Sequence, residues 1–194
     1  YTMANYKNIC KYIHLPVQSG NSRILELMNR TYDREWYINK IDRIYEIMPD
    51  CAISSDVITG FCSETEEEHK ETLSIIEYAQ YSMSYMFFYS ERPGTLAARK
   101  YEDDIPLEVK KRRLTEVIRL QNKISHDLNA KDVGKVFEVL IEGDSKKSEQ
   151  DFKGRNSQNK QLVFPKKDGL KPGDYCNVLV KASTSATLIG EIVK

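Results

Sequence analysis

The hydrophobic period of this 194-residue chain changes once, near Asp132, and that change limits the folds it can adopt. Before Asp132, short apolar runs alternate with segments whose apolar residues recur at helical spacing, as in βα units. After it, the helical spacing disappears and short alternating runs are separated by turns. The sequence therefore predicts an α/β domain over residues 1–131 and an all-β domain over residues 132–194.

Three predicted strands organise the first domain. They cover residues 12–17, 52–58 and 84–90, and each is followed by a helical pattern, the last running from Leu107 to about Asn129. Strands separated by helices favour a parallel sheet. Because three βα units make only about half of a (β/α) barrel, the sheet edges would be open. We therefore expect self-association through these edges.

The residue patterns of two helices make further predictions, and the first of them has two interpretations. Glutamates at 66–68 lie in the first turn of a helix predicted from Glu66 to Ala79, with Ser63 and Glu66 as a capping box. An acidic run of this kind is also typical of metal or acid–base clusters, although capping explains it adequately. The inner side of the last helix is predicted from its spacing as Leu114, Val117, Ile118, Leu120, Gln121 and Ile124.

Polar residues follow the first predicted strand at a position that suits a ligand. Gln18 and Ser19 come directly after it, and Arg30 lies at the end of the next helix. Parallel sheets bind ligands at the carboxyl ends of their strands. The alternative is that Gln18 and Ser19 only turn the chain, while Arg30 is a solvated cation near a helix C-terminus.

Short strands separated by turns, with runs at 135–142, 162–164, 175–180 and 188–193 as the four that can be located, indicate a small antiparallel barrel of five strands, OB-like in scale. The whole chain has 29 basic and 29 acidic side chains, but residues 144–171 hold eight basic and four acidic ones. Lysines beside hydrogen-bonding side chains, at 146–148 and 154–160, suit phosphate and sugar contacts with RNA. A solvated loop is the alternative. Few aromatic residues lie among these lysines, so base stacking has little support.

The four cysteines are far apart and have no metal-ligand spacing, as the positions Cys10, Cys51, Cys62 and Cys176 show. We interpret them as reduced thiols of a cytoplasmic protein. The chain has no signal peptide and no apolar run of membrane-spanning length, so no membrane partner is expected. It lacks an initial methionine and reaches a strand within its first residues, which suggests a piece of a longer protein.

Five motifs occur in order along the chain. They are His-Leu-Pro-Val-Gln-Ser-Gly at 14–20, Leu-Met-Asn-Arg at 27–30, Ser-Ser-Asp-Val-Ile-Thr-Gly-Phe at 54–61, Tyr-Ser-Glu-Arg-Pro-Gly-Thr at 89–95 and Gly-Arg-Asn-x-x-Asn-Lys at 154–160. Together they resemble the radical SAM tRNA methylthiotransferases over nearly the whole chain. The sequence departs from that family at Cys62-Ser63, where Pro-Gly is usual, which leaves the course of that loop open.

The resemblance implies the carboxyl-terminal part of a radical SAM partial barrel followed by a TRAM domain that holds tRNA. The full-length enzyme would use S-adenosyl-L-methionine and two [4Fe-4S] clusters to add a 2-methylthio group to isopentenylated adenosine beside the anticodon. The cluster cysteines would lie outside this chain, so no catalytic residue or metal ligand is assigned and the chain alone is predicted to be inactive. Alternatives are a sibling acting on threonylcarbamoyl-adenosine or on a ribosomal-protein aspartate, or a stand-alone RNA-binding module.

The resemblance also implies roles for individual residues. Gln18, with Ser19 beside it, would lie at the ribose, Asp56 would lie near the ribose hydroxyls, and Arg30 would bind the methionine carboxylate as a bidentate partner. Ile58 and Gly60 would flank the adenine, while Arg92 and Thr95 would line the substrate side. The residues expected to contact RNA are Lys146, Lys147, Arg155, Asn156 and Lys160.

Overall fold

The computed structural model describes residues 1–193, which form two compact units. The sheet unit contains residues 13–49 and 53–122, and the barrel unit contains residues 1–12, 50–52 and 123–194. The helices are α1 (Thr2–Asn5), α2 (Ser22–Leu27), α3 (Arg34–Ile47), α4 (Glu66–Ala79), α5 (Leu96–Lys100) and α6 (Leu107–Ala130). The strands are β1 (Tyr12–His14), β2 (Ala52–Thr59), β3 (Met83–Phe88), β4 (Val136–Ser145), β5 (Ser148–Asn156), β6 (Gln161–Pro165), β7 (Tyr175–Ser183) and β8 (Leu188–Val193).

A three-stranded sheet in the order β1-β2-β3 forms the centre of the sheet unit. Strands β2 and β3 are parallel, and their register places Asp56 opposite Tyr85 and Ile58 opposite Phe87. One face of β2 is buried, as Ile53 and Val57 show, whereas Asp56 and Ile58 on the other face are partly exposed. The predicted α/β fold with a parallel sheet is therefore confirmed.

Two buried tyrosines hold the segment after β1 against its helices. The Tyr81 hydroxyl donates to the Tyr37 hydroxyl at 2.9 Å, and the Tyr37 hydroxyl donates to the Leu15 carbonyl at 2.6 Å. Burial raises the pKa of Tyr37 to about 12, so this phenol remains a donor at neutral pH. The chain leading to Gln18 is thus fixed from the core side.

The helix from Glu66 to Ala79 is confirmed, but the predicted capping box was wrong by two residues. Thr65 is the N-cap, and its side chain and that of Glu68 bond reciprocally to the backbone of the first turn. Ser63 instead has a left-handed backbone with φ +62°, and its hydroxyl accepts a hydrogen bond from Arg23 at 3.0 Å. A capping box pairs the N-cap residue with the residue three positions later, so the observed N-cap, Thr65, selects Glu68.

Helix α6 buries charged residues that its apolar spacing did not predict. Val117, Gln121 and Ile124 are buried as expected, but Ile118 is 36% exposed. Lys110 and Arg113 take buried places on the helix, each only 4% exposed. Periodicity counts apolar residues only and therefore misses cations that are buried with partners.

The barrel unit contains a closed barrel in the order β4-β5-β6-β8-β7. Four of its strand pairs are antiparallel, and β6 pairs with β8 in parallel. Its interior is filled by Val139, Ile141, Phe152, Leu162, Phe164, Val178, Val180 and Leu188. The predicted small barrel is confirmed, but residues 148–156 form strand β5, so the Gly-Arg-Asn motif begins in a strand rather than in a loop.

Two glycines allow the barrel strands to approach each other. A Cβ at Gly154 would lie 2.4 Å from the Leu140 carbonyl oxygen, and one at Gly190 would lie 2.4 Å from that of Leu179. Backbone atoms cannot move away as a flexible side chain can, so neither position has room for a larger residue. Residues 1–193 contain no helix both long and apolar enough to cross a membrane.

Candidate functional site

Gln18 lies beside the carboxyl end of β2. Its backbone is left-handed, with φ +66°, which is uncommon outside glycine and marks a conformation enforced by the surrounding fold. The Gln18 N–H donates to the Asp56 carbonyl and its own carbonyl accepts from the Ile58 N–H, both at 2.9 Å. This parallel bridge places Gln18, Asp56 and Ile58 side by side at the sheet end.

Helix α2 carries the chain from this edge to Arg30. Asn21 caps the helix by accepting a hydrogen bond from the Ile24 N–H at 3.1 Å, and Ile24 and Leu25 bury its inner face. The Arg30 N–H donates to the Leu25 carbonyl at 2.9 Å. The backbone of Arg30 is therefore fixed directly after the helix end, while its side chain remains exposed.

Arg30 and Ile58 line the same cavity, whose volume is about 290 Å³. Within residues 1–193, the Arg30 guanidinium has no carboxylate at ion-pair distance. Such a cation beside apolar walls suits a ligand that carries both a carboxylate and a flat ring. The apolar and aromatic part of the wall is formed by Leu27, Met28, Ile58, Phe61, Tyr89, Leu96 and Ala97.

The Asp56 carboxylate lies on the partly exposed face of the sheet, in contact with a histidine. Asp56 Oδ1 is 3.5 Å from His14 Nε2, and His14 Nδ1 is 2.8 Å from the Ser54 hydroxyl oxygen. Tyr85, opposite Asp56 in the register, packs edge-on against His14 with ring centroids 6.1 Å apart. The side chain of Asp56 is 30% exposed, so it can accept a hydrogen bond from a ligand hydroxyl.

Ser19 and Gly60 are packed against helices. The Ser19 hydroxyl oxygen is fully buried, 3.4 Å from that of Thr72 in α4. Gly60 has φ +67°, and a Cβ there would lie 2.5 Å from Lys110 Cγ in α6. Its N–H donates to Glu64 Oε2 at 2.7 Å. These two residues therefore shape the edge of the sheet through their packing.

A second cavity, of about 560 Å³, runs along β3 and the segment after it. Arg92 and Thr95, predicted on the substrate side, both line it, and it shares Ile58 and Tyr89 with the first cavity. Thr95 also caps α5 by accepting a hydrogen bond from the Ala98 N–H at 3.3 Å. Thr95 thus both lines the second cavity and caps helix α5 beside it.

The loop after β2 contains Cys62, where the sequence departs from the family pattern. Cys62 packs with Ile24 and Phe61 and is only 2% exposed. Burial raises the pKa of its thiol, so Cys62 is neutral at physiological pH. Phe61 packs edge-on against Tyr89, with centroids 4.8 Å apart. The loop is therefore held by an apolar cluster.

Buried ion pairs below this loop form a layer that sequence reasoning missed. Glu64 Oε2 is 2.9 Å from Arg113 Nη1, and their side chains are 0% and 5% exposed. Burial raises the pKa of Glu64, while the Gly60 N–H and the Arg113 guanidinium oppose that rise. Lys110, which lies about one helical turn before Arg113, pairs with Asp103. A signal for this layer was the three-residue spacing of Lys110 and Arg113 on one helix face.

Of the glutamates at 66–68, Glu66 and Glu68 form ion pairs, and Glu68 also belongs to the capping box. Glu66 pairs with Arg112 at 2.6 Å, which holds the pKa of its carboxyl near 2, and Glu68 pairs with Arg23 at 2.6 Å. Among residues 1–193, no group of three or more His, Cys, Asp or Glu side chains is arranged to hold a metal ion.

The predicted RNA residues fall into two groups. Lys146 and Lys147 form the exposed two-residue tip of the hairpin that joins β4 to β5, where Ser145 pairs with Ser148. The other residues make contacts within the protein. Lys160 Nζ lies 2.5 Å from the buried carboxylate of Asp132, which also binds Lys135.

The Gly-Arg-Asn motif builds the turn after β5. Asn156 is 5% exposed, and its side-chain oxygen accepts hydrogen bonds from the backbone N–H groups of Gln158 and Lys160. Arg155 Nη1 donates to the carbonyl and the side-chain oxygen of Asn159 at 3.0 and 3.1 Å. Arg155 Nε also lies 3.3 Å from Glu142, yet the side chain is 41% exposed. Its guanidinium is therefore fixed in orientation and open to solvent.

Comparison with known proteins agrees with this arrangement of a sheet unit and a small barrel. Residues 2–76 match the Radical SAM superfamily, and residues 130–193 match the TRAM domain. A tRNA-2-methylthio-N(6)-dimethylallyladenosine synthase from Amoebophilus asiaticus is 62% identical over 193 residues, 99% of this chain. Synthases of the same name from Phocaeicola vulgatus and Porphyromonas gingivalis are each 52% identical, over 98% and 99% of this chain. The chain belongs to the radical SAM methylthiotransferase family.

The chain spans about two fifths of the length of these relatives, 40% to 42%. Radical SAM proteins use S-adenosyl-L-methionine and iron–sulfur chemistry, which agrees with the predicted cofactor class. Among solved structures, the coproporphyrinogen III oxidase HemN from Escherichia coli, described as a radical SAM enzyme, matches 89% of this chain and 41% of its own. With a TM-score of 0.50 and 16% identity, that match shows similarity of fold alone.

Proposed function

We propose that this chain is part of a methylthiotransferase that adds a 2-methylthio group to isopentenylated adenosine in tRNA, beside the anticodon. The observation that carries the proposal is 62% identity, over 99% of the chain, with a synthase named for the dimethylallyl-adenosine product. Because these relatives, 52% to 62% identical to the chain, share that name, we favour this activity over siblings acting on threonylcarbamoyl-adenosine or on a ribosomal-protein aspartate.

For the cofactor, we propose that S-adenosyl-L-methionine lies along the edge formed by Gln18, Asp56 and Ile58. The exposed Arg30 guanidinium would bind the methionine carboxylate, because no carboxylate of residues 1–193 competes for it. Asp56 would accept from ribose hydroxyls, with Gln18 at the ribose and Ile58 against the adenine. Ser19 and Gly60 would contribute by positioning the backbone, since both pack on helices.

In the full-length enzyme, S-adenosyl-L-methionine together with an iron–sulfur cluster would supply the radical chemistry of the reaction. Two [4Fe-4S] clusters are proposed for that enzyme, with ligands outside this chain. The residues of this chain would bind, orient and shield the cofactor. The chain alone is accordingly proposed to lack radical activity.

For the partner, we propose that the barrel unit binds tRNA. Lys146 and Lys147 at the exposed hairpin tip would contact phosphates, and Arg155 would offer a fixed guanidinium. Asn156 and Lys160 would support these contacts by holding the turn. We also propose a functional boundary between residues 131 and 132, a cytoplasmic location, and self-association through open sheet edges.

A chimeric enzyme tests the proposed activity, with the rest of the enzyme supplied by a related synthase. The matching segment of the Amoebophilus synthase is replaced by this chain, and the chimera is expressed in bacteria that lack their own synthase. Mass spectrometry of tRNA nucleosides is expected to detect 2-methylthio-isopentenyladenosine. A folded chimera that leaves isopentenyladenosine unmodified, or methylthiolates threonylcarbamoyl-adenosine instead, would overturn the proposal.

The same chimera tests the role of Arg30. Lysine keeps the charge but loses the bidentate fork, so Arg30→Lys is expected to raise the KM for S-adenosyl-L-methionine about tenfold. The control is Lys11→Ala, which removes a cation paired with Asp50 at 3.3 Å and is expected to change KM less than twofold. Equal effects of the two changes would leave Arg30 as a solvated cation only.

A further inference from the structure

The outer face of the barrel carries an aromatic residue that the basic motifs do not include. Tyr175, at the start of β7, is 63% exposed, the largest exposed fraction among the large hydrophobic side chains of the barrel unit outside its first residues. In the register, Leu140 pairs with Tyr175 on one side and with Arg155 on the other. Arg155 in turn pairs with Gln161 of β6. Tyr175, Leu140, Arg155 and Gln161 therefore form one cross-strand row.

This row faces outward along its whole length. The neighbouring positions on the same strands, Val139, Asn156 and Leu162, are buried, so their alternate partners point away from the core. Adjacent strands lie about 4.8 Å apart, which places Tyr175 and Arg155 about 10 Å from each other. Leu140 lies between them, partly exposed. The row thus offers an aromatic ring and a fixed cation on one surface.

The two ends of the row have complementary chemistry. A tyrosine ring can stack on any nucleobase, since every base has a flat π face. The guanidinium of Arg155 is held by Asn159 and Glu142 through Nη1 and Nε, and its Nη2 makes no hydrogen bond with residues 1–193. That nitrogen can donate to a phosphate oxygen. The excess of basic residues between 144 and 171 favours a polyanion over a peptide as the occupant.

We propose that Tyr175 stacks on an unpaired base of the bound RNA while Arg155 contacts a neighbouring phosphate. This inference rests on the proposed RNA-binding function and adds to it a preference for single-stranded over duplex segments. A base inside a duplex is stacked on both faces and cannot lie on a tyrosine ring. Tyr175 was missed in the sequence because it lies 20 residues from Arg155 and only strand register brings them together.

The test uses the 194-residue chain and two fluorescein-labelled RNAs, a ten-nucleotide oligoadenylate and a duplex of the same length. Fluorescence anisotropy gives Kd at several KCl concentrations. Tyr175→Ala is expected to weaken binding of the single strand about 5- to 150-fold, as loss of one stacked base does. Tyr175→Phe keeps the ring and is expected to stay within twofold of the wild type. Binding of the duplex is expected to be unchanged by either substitution.

Asn177→Ala is the matched control, because Asn177 is the next outward residue on the same strand. The slope of log K against log salt is expected to be equal in the wild type and Tyr175→Ala, since stacking releases no counterion. Replacing the target adenines by 2-aminopurine adds a direct readout, because stacking quenches its fluorescence in the wild type and not in Tyr175→Ala. Circular dichroism melts verify that each variant folds.

The outcomes separate this inference from the proposed function. If the wild-type chain binds neither RNA in a salt-dependent manner, RNA binding itself is wrong. If the wild type binds but Tyr175→Ala matches Asn177→Ala, or if Tyr175→Ala reduces the salt slope, the stacking role is wrong while RNA binding stands. Equal loss for the single strand and the duplex would also overturn it.

Discussion

The two units of this molecule both hold cations in ion pairs with carboxylates, as Arg113 and Lys160 do, but they differ in where exposed cations without such a pair lie. In the sheet unit, Arg23, Lys110, Arg112 and Arg113 each pair with carboxylates, whereas Arg30, which lines a cavity, does not. In the barrel unit, the hairpin lysines Lys146 and Lys147 lie in solvent. The comparison teaches that a count of charges says little about binding. What matters is which cations keep a hydrogen-bond donor open to solvent once the chain has folded.

The strongest expected effect concerns the buried pair of Glu64 and Arg113. Arg113→Ala would leave a buried carboxylate without its cation, and is expected to lower the free energy of unfolding by about 3–5 kcal/mol. Urea unfolding followed by the fluorescence of Trp36, the single tryptophan, reports on the sheet unit. If internal pairing were incidental here, the loss would be far smaller.

Arg112→Ala provides the matched control for that measurement. Arg112 lies beside Arg113 and also pairs with Glu66, but its side chain is 46% exposed. Surface pairs contribute little, so the expected loss is below about 1 kcal/mol. Similar losses for the two arginines would break the distinction between internal and solvated pairs.

A second comparison separates binding cations from structural cations within the barrel unit. Lys147→Ala is expected to weaken RNA binding regardless of sequence and to reduce the magnitude of the salt slope by about 1, since one phosphate contact is lost. Lys160→Ala is expected to lower the melting temperature instead, because the buried Asp132 loses a partner at 2.5 Å. A reduced salt slope in Lys160→Ala with unchanged melting would show that Lys160 reaches RNA directly.

The smallest expected effect is a pH dependence of the sheet unit. His69 is fully buried, and burial lowers its pKa below 6.5, although its contact with Glu116 at 2.8 Å opposes the shift. The folded state therefore favours the neutral ring. Its stabilising contribution is complete above pH 6.5 and decreases as the pH falls toward the lowered pKa, because the unfolded chain binds the proton first.

Unfolding of wild type and His69→Gln between pH 5 and 7.5 measures that contribution. The wild type is expected to lose stability below pH 6.5, and the variant is expected to lose less over the same range. Identical pH profiles would mean that His69 does not couple folding to protonation.

Much of the architecture follows from apolar periodicity, since β2, β3, α4 and α6 were all predicted close to their observed bounds. Strand β5 was missed because its inward positions are Phe152, Gly154 and Asn156, of which only one is a large apolar residue. Periodicity cannot detect a strand whose buried face is built from glycine and asparagine. Apolar periodicity also failed to predict the burial of Lys110 and Arg113, because that burial depends on partners far away in sequence.

The placement of candidate site residues shows a similar division. Motif resemblance brought attention to Gln18, Arg30 and Asp56, and the structure places Gln18 beside Asp56 while Arg30 shares a cavity with Ile58. The left-handed backbone of Gln18 and the burial of Ser19 against Thr72 were not readable from residue types. The row joining Tyr175 to Arg155 depends on pairing between three strands, which no local pattern encodes.

Gly154 and Gly190 carry a consequence for how this barrel tolerates change. At both positions a neighbouring carbonyl oxygen lies too close for a methyl group. The spacing between these strands, and so the diameter of the barrel, therefore depends on glycine at both positions. Lengthening the hairpin tip at Lys146 and Lys147 would leave the barrel diameter unchanged and would extend the distance over which these lysines contact a partner. A larger residue at either glycine would push the neighbouring strands apart. Sequence variation in such a barrel is therefore confined to its loops and hairpin tips.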